Sequence, residues 1–259
     1  MLDNVRQLVQ LIHERGFEPG DKLPSEREMS EMFGMSRGAL REALIRLDTL
    51  RIIDARPKSG IYLRAGSEER SIEAMVLFAE ADAPLAPDEV IQAVELRRLL
   101  ETQAVRLACE RRTDEDLERL SAIVKRCAAA RGDGEKLASL DAEFHLAIVA
   151  ATQNDVFVRF VNVFYLMSRK RREVYFSSDE HCRQSVNDHR KLLAAIVERD
   201  VEKAESILRQ HIKGVDVYFR ALFGSTADIK TKVDPRAPAE TKRSASGRKR
   251  KPVTSNDAV

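Results

Sequence analysis

The chain has 259 residues, long enough for two domains that each bury their own core. Hydrophobic residues make up 43%, charged residues 33% and aromatics only 5%, with no Trp, a balance that suits helix-rich construction. No apolar run approaches the ~18 residues a bilayer-spanning helix needs, and residues 1–6 lack the charged and apolar regions of a secretion signal, so a cytoplasmic protein without a membrane partner is expected.

A net charge of +2 points to no partner by itself, and its distribution is uneven. Residues 1–66 hold eleven basic and ten acidic side chains, residues 67–225 hold 24 and 28, and residues 226–259 hold nine and four. Bulk charge therefore does not mark a DNA-binding end; local pattern has to. Cys109, Cys127 and Cys182 are odd in number and widely spaced, with no CxxC, and read as reduced thiols that fill core space.

In chain order, Val5, Leu8, Val9 and Ile12 recur at helical spacing over residues 3–15, and Pro19-Gly20 breaks the pattern. Ser25-Glu-Arg-Glu28 is a capping box that opens a second helix with Met29, Met32 and Phe33 on its apolar face. Gly34 ends that helix and Ser36 caps a third, which carries Leu40, Ala43, Leu44, Leu47 and Leu50. Residues 52–56 and 61–64 read as two short strands around a Pro57-Lys58-Ser59-Gly60 turn. Two helices joined by a tight turn, then a two-stranded wing, form a winged helix-turn-helix whose third helix enters a major groove. Its exposed side would present Arg37 and Arg41, and arginine forks suit guanine edges or phosphates.

From residue 69 onward only helical patterns follow, over about 69–80, 87–110, 113–130, 134–152, 154–176, 182–199 and 201–223. The fold class is thus mainly α, a winged helix-turn-helix over 1–66 followed by an antiparallel bundle of six or seven helices over 67–225. Residues 226–259 are rich in Lys, Ala, Pro, Ser and Thr and read as a disordered basic tail. The run Arg169–Arg172 reads as a solvated helix face.

Three histidines fall into a pattern with one acid. Asp141 and His145 stand at i and i+4 on one helix, while His189 and His211 lie 22 residues apart on two later helices that can lie level in an antiparallel pair. One carboxylate and three imidazoles suit Zn, Ni, Mn or Fe with a position left open for a ligand. Spacing alone leaves the alternative open that these are hydrogen-bonded core histidines. An exposed cap is expected for Asp188, with a contact to His189 as the alternative.

The stretch Gly20-Asp-Lys-Leu-Pro-Ser-Glu-Arg-Glu-Met-Ser-Glu-Met-Phe-Gly-Met-Ser-Arg-Gly-Ala-Leu-Arg-Glu-Ala-Leu44 resembles the signature of the GntR family of bacterial regulators. The resemblance implies that Arg27, Arg37 and Arg41, with Ser36 beside them, contact DNA, and that a homodimer sits on a short palindromic operator. Two positions depart from the pattern: Arg51 stands where Gly is frequent, and Lys58 replaces the first of two wing glycines, while Gly60 is kept. Lys58 could still reach a phosphate or the minor groove. Residues 70–223, through Glu95-Leu-Arg97-Arg98-Leu-Leu-Glu101, Asp141–His145, Asn154 and the helix near His189, resemble the FadR-type ligand-binding domain called FCD. That resemblance implies a divalent metal, Zn first, on Asp141, His145, His189 and His211. It also implies an effector that is a small carboxylate such as a sugar acid or hydroxy acid. Arg97 would clamp that acid, or pair with Glu101 one turn on. The competing class is a metalloenzyme on the same four ligands; it lacks a general base, because Glu143 turns to another helix face, so no enzyme is expected.

Overall fold

In a computed structural model the described residues are 2–230 apart from 65–69, 84 and 131, and for Leu2 and 222–230 only the backbone is described. The N-terminal elements are α1 (Leu2–Glu14), α2 (Glu26–Phe33), α3 (Arg37–Thr49), β1 (Ile53–Arg56) and β2 (Gly60–Leu63). The capping box forms as expected: Ser25 Oγ accepts from Glu28 N while the Glu28 carboxylate accepts from Ser25 N at 2.7 Å. Gly34 closes α2 in the left-handed conformation with φ 62°, a backbone state that costs glycine nothing.

β1 and β2 pair antiparallel from Ile53↔Leu63 to Arg56↔Gly60. Residues 20–23 stitch onto the free edge of β2, with Leu23 N donating to Ile61 O and Leu63 N to Asp21 O. The core beneath is built from Val5, Leu8, Leu40, Leu47, Ile52 and Ile53. Met32, expected on the apolar face of α2, is exposed.

Eight further helices follow among the described residues: α4 (Ile72–Glu80), α5 (Pro87–Arg111), α6 (Asp114–Ala129), α7 (Gly134–Ala150), α8 (Asp155–Met167), α9 (Arg169–Tyr175), α10 (Asp179–Glu198) and α11 (Val201–Lys230). α4 does not open the second core. Its Ala74 and Leu77 join the first, and it packs on both α1 and α8, so it links the two halves. The helices α5–α11 form the antiparallel bundle around Val105, Leu120, Phe144, Leu192 and Ile212.

Two expected boundaries move. The single helix read over 154–176 is broken at Ser168, whose Oγ donates back to Phe164 O at 2.6 Å and whose backbone (φ −98°, ψ 5°) ends α8 and starts α9. A serine that satisfies a carbonyl of the preceding turn offers the chain a bend that apolar spacing does not reveal. The basic tail expected from residue 226 begins inside α11, which meets no proline before Pro235 and runs to Lys230; residues 231–259 lie outside the described set.

Candidate metal centre and nucleic-acid interface

Asp141 and His145 sit on α7, His189 on α10 and His211 on α11, and all four side chains are buried. One ligand atom from each lies within 4.8 Å of the others. Asp141 Oδ1 is 3.7 Å from His145 Nε2, 3.4 Å from His189 Nε2 and 3.9 Å from His211 Nε2, and the last nitrogen is 3.3 Å from His145 Nε2. Donors bound at about 2.1 Å to one ion stand roughly 3–4 Å apart, and these four distances fall in that range. His189 Nδ1 is buried with no hydrogen-bond partner. The donor set therefore fits a divalent ion.

The surroundings orient each ring. Glu101 Oε2 lies 2.7 Å from His145 Nδ1, which favours the tautomer that leaves Nε2 free to ligate. Asp188 is buried and its Oδ2 lies 3.4 Å from His211 Nδ1, so it serves His211, not His189, and is no exposed cap. Phe144 stacks on His189 with ring centroids 4.2 Å apart. Burial pushes the His189 imidazole down to about 4, so it is neutral and ready to ligate at pH 7. Burial alone would raise the Asp141 carboxyl, but the facing His145 and His189 rings hold it well below the usual carboxylate range.

Arg97 is also buried. Its Nε donates to Glu101 Oε1 at 2.6 Å and its Nη2 to Tyr165 Oη at 2.7 Å, so the pair with Glu101 forms. Burial would raise the Glu101 carboxyl, yet Arg97 and then His145 hold it below its usual range. A small cavity beside the cluster is lined by Arg97, Asp141, His211, Arg172, Tyr175 and Phe176, among others, and has a volume of about 10 Å³, close to what one water needs.

Arg172 corrects the reading of Arg169–Arg172 as a solvated face. Arg169 and Lys170 are exposed, but Arg172 is only 9% exposed and points inward. Arg172 continues, at helical spacing, the buried series Val161, Phe164 and Tyr165, so it lies on the inner face while Arg169 and Lys170 do not. Glu143 behaves as expected, salt-bridged to Arg126 at 2.7 Å and not facing the cluster.

At the other end, Ser36 Oγ accepts from Ala39 N at 3.2 Å and starts α3. Arg37 and Arg41 follow on one exposed face. Arg41 Nε pairs with Glu26 Oε2 at 2.8 Å, and Arg27 sits 3.8 Å from Glu31, both at the surface where such pairs give way easily. Of the two, only the Arg41–Glu26 pair links α3 to the start of α2. Lys58 forms the wing tip with φ 62° and Gly60 follows with φ 134°; a Cβ on Gly60 would stand 2.6 Å from Lys22 Cε. Lys58 thus takes the conformation a glycine would supply, and so does Arg51, with φ 57°. Two wing cations were not anticipated: Arg56 lies over the Tyr62 ring at 4.5 Å and Lys22 at 5.9 Å.

Among the described residues no helix is long and apolar enough to cross a membrane. The family described as "Bacterial regulatory proteins, gntR family" matches residues 4–63, and the FCD domain matches residues 92–214. The chain is 32% identical to the "Uxu operon regulator" of Haemophilus influenzae over 208 residues, covering 76% of this chain and 73% of that protein. It is 29% identical to the "HTH-type transcriptional regulator LutR" of Bacillus subtilis, covering 77% and 91%. Against the "HTH-type transcriptional repressor NanR" of Cronobacter sakazakii it is 28% identical, covering 83% and 84%. A solved structure titled "Lar controls the expression of the Listeria monocytogenes agr system and mediates virulence" shares the fold, with a TM-score of 0.64 at 19% identity over 85% of this chain and 95% of that one.

Proposed function

Since the chain belongs to the gntR family of bacterial regulatory proteins, carries an FCD domain and is a DNA-binding transcription regulator and not an enzyme, we propose that a small carboxylate bound at a metal in its helical domain sets its operator affinity. The observation that carries this reading is the convergence of Asp141 Oδ1 and the three Nε2 atoms beside a small cavity walled by two arginines. A divalent ion held there, Zn first and Ni, Mn or Fe as alternatives, would supply a Lewis-acidic position for a carboxylate or hydroxyl oxygen of a sugar acid or hydroxy acid. Arg97 offers N–H groups at the same wall, with its charge already answered by Glu101.

DNA is read by α3, with Arg37 and Arg41 facing the groove, Arg27 and the amides at Ser36 beside them, and Lys58 and Gly60 at the wing. A palindromic operator calls for a homodimer. In support, α5 and α8 pack together and leave Leu96, Leu99, Val156 and Phe160 exposed.

The cavity as it stands holds about one water, so an organic acid must open it. α8 touches both ends of the system. Its Tyr165 bonds Arg97 and Glu101, while its Phe164 and Met167 line the cleft with Phe17, just after α1, and Phe78 of α4. An effector that binds the opened form better than the closed one shifts the arrangement of the DNA-binding halves by that difference in affinity. Fluorescence anisotropy on the DNA upstream of its own gene, with sugar acids and hydroxy acids added to metal-loaded protein, tests this. A shift in operator affinity supports it; operator binding that ignores every acid and the removal of metal contradicts it.

A further inference from the structure

Between the DNA-binding half and the bundle lies an open cleft of about 550 Å³, within the roughly 300–1,000 Å³ of ordinary small-molecule sites, which favour domain boundaries. Its walls are mostly apolar and come from both cores. Phe17 follows α1, Met75 and Phe78 belong to α4, Leu85 precedes α5, Leu96 lies on α5 and Phe164 on α8. None of the four clustered metal-ligand candidates lines it.

Three titratable side chains stand on its wall: His13, Arg70 and Glu89. His13 is exposed at the end of α1. Glu89 is answered locally, because its carboxylate accepts from Ala86 N at 3.1 Å in the first turn of α5, where the helix dipole favours an anion. Arg70 is not answered. Its guanidinium lies 5.4 Å from the Phe78 ring centroid, its Nε is buried without a hydrogen-bond partner, and it makes no ion pair among the described residues. The next side chain, Ser71, leaves its Oγ buried and unpartnered too, since it makes no capping bond to α4. A buried N–H without an acceptor is costly, and an acidic group set against the Phe78 ring would supply the acceptor and the charge together.

We infer that this cleft is a second small-molecule site, which takes an amphipathic monoanion with its apolar body among Phe17, Phe78 and Phe164 and its acidic head on Arg70. The apolar walls select the body and the single unanswered cation selects the head. The site touches α4 on one side and α5 and α8 on the other, so a ligand there acts on the joint between the two halves. It does not depend on a bound metal.

The chain has no Trp, so Phe17→Trp in the full chain places a sole fluorophore in the cleft. The probe is 8-anilinonaphthalene-1-sulfonate, an aromatic anion, and saturable quenching of the tryptophan emission is expected. Adding Arg70→Gln should weaken dye binding about tenfold, as loss of a charge-assisted bond does, while Arg70→Lys keeps the cation and most of the affinity. Ala93→Phe, which fills the cleft, should abolish the quenching with helical content unchanged by circular dichroism. Asp141→Asn should bind the dye with unchanged affinity; loss of binding there would contradict a site separate from the metal cluster. Tryptophan emission indifferent to the dye, or equal dye affinity with and without Arg70→Gln, would overturn the inference. So would dye binding that falls as rising protein concentration drives self-association, because a second copy of the chain would then be what fills the cleft.

Discussion

Asp141 is the residue on which three imidazoles converge, and its replacement is the cleanest probe of the cluster. Asp141→Asn keeps size and shape but removes the anionic oxygen, so bound metal should fall by about 10–100-fold in affinity while α-helical content stays, as read by metal analysis and circular dichroism. Glu101→Gln acts at one remove: it weakens the contact to His145 Nδ1 and leaves Arg97 buried without its counter-charge, so it should lower both metal affinity and stability. Backbone strain gives an independent test at this scale. Arg51 holds φ 57°, a region that costs a non-glycine residue about 1 kcal/mol or more. Arg51→Gly should therefore leave stability unchanged or raise it by up to about 1 kcal/mol in urea unfolding, whereas Arg51→Val should lower it by about 1–2 kcal/mol. Loss of stability in the glycine variant would show that the side chain, and not the backbone, sets this position.

Among the elements, the caps were the most legible features. Ser25 and Ser36 each start a helix through a hydrogen bond to an amide three residues on, because capping is a local matter of one side chain and one turn. The break at Ser168 was not legible. Val161, Phe164 and Tyr165 on one side and Arg172 and Tyr175 on the other continue a helical rhythm across it, and only the serine's back-bond to Phe164 O divides them. Arg172 passed as a surface residue because it stands in a run of four basic side chains, although its place in that rhythm is on the inner face. The four metal-ligand candidates could be named from spacing and family resemblance, but that Asp188 serves His211 depends on how α10 and α11 are rotated, which tertiary packing decides. Gly134 opens α7, where alanine would ordinarily help a helix. Here a Cβ would stand 2.3 Å from Phe176 O, so Gly134→Ala should destabilise by about 1–3 kcal/mol, measured by thermal or urea unfolding.

The whole molecule joins two cores through α4, which shares the first and packs on α8 of the second. Removing a tightly held ion should lower the melting temperature, since a ligand at 100 times its Kd contributes about 2.7 kcal/mol to the folded state. The loss should concentrate in the bundle, where α7, α10 and α11 supply the ligands, and leave the winged helix folded enough to bind DNA. Operator binding by α3 and the wing should weaken steeply with salt, and Arg37→Ala should cost about 1–3 kcal/mol on the operator while Lys58→Ala lowers affinity with little change in sequence preference. The most direct measurement of the central claim is operator affinity by anisotropy, at fixed salt, for metal-loaded wild type and Asp141→Asn across a panel of sugar acids and hydroxy acids. The account predicts that at least one acid shifts wild-type operator affinity by about fivefold or more, the range of ordinary site-to-site coupling, and that Asp141→Asn binds the same DNA without responding. An equal response in both proteins would contradict it.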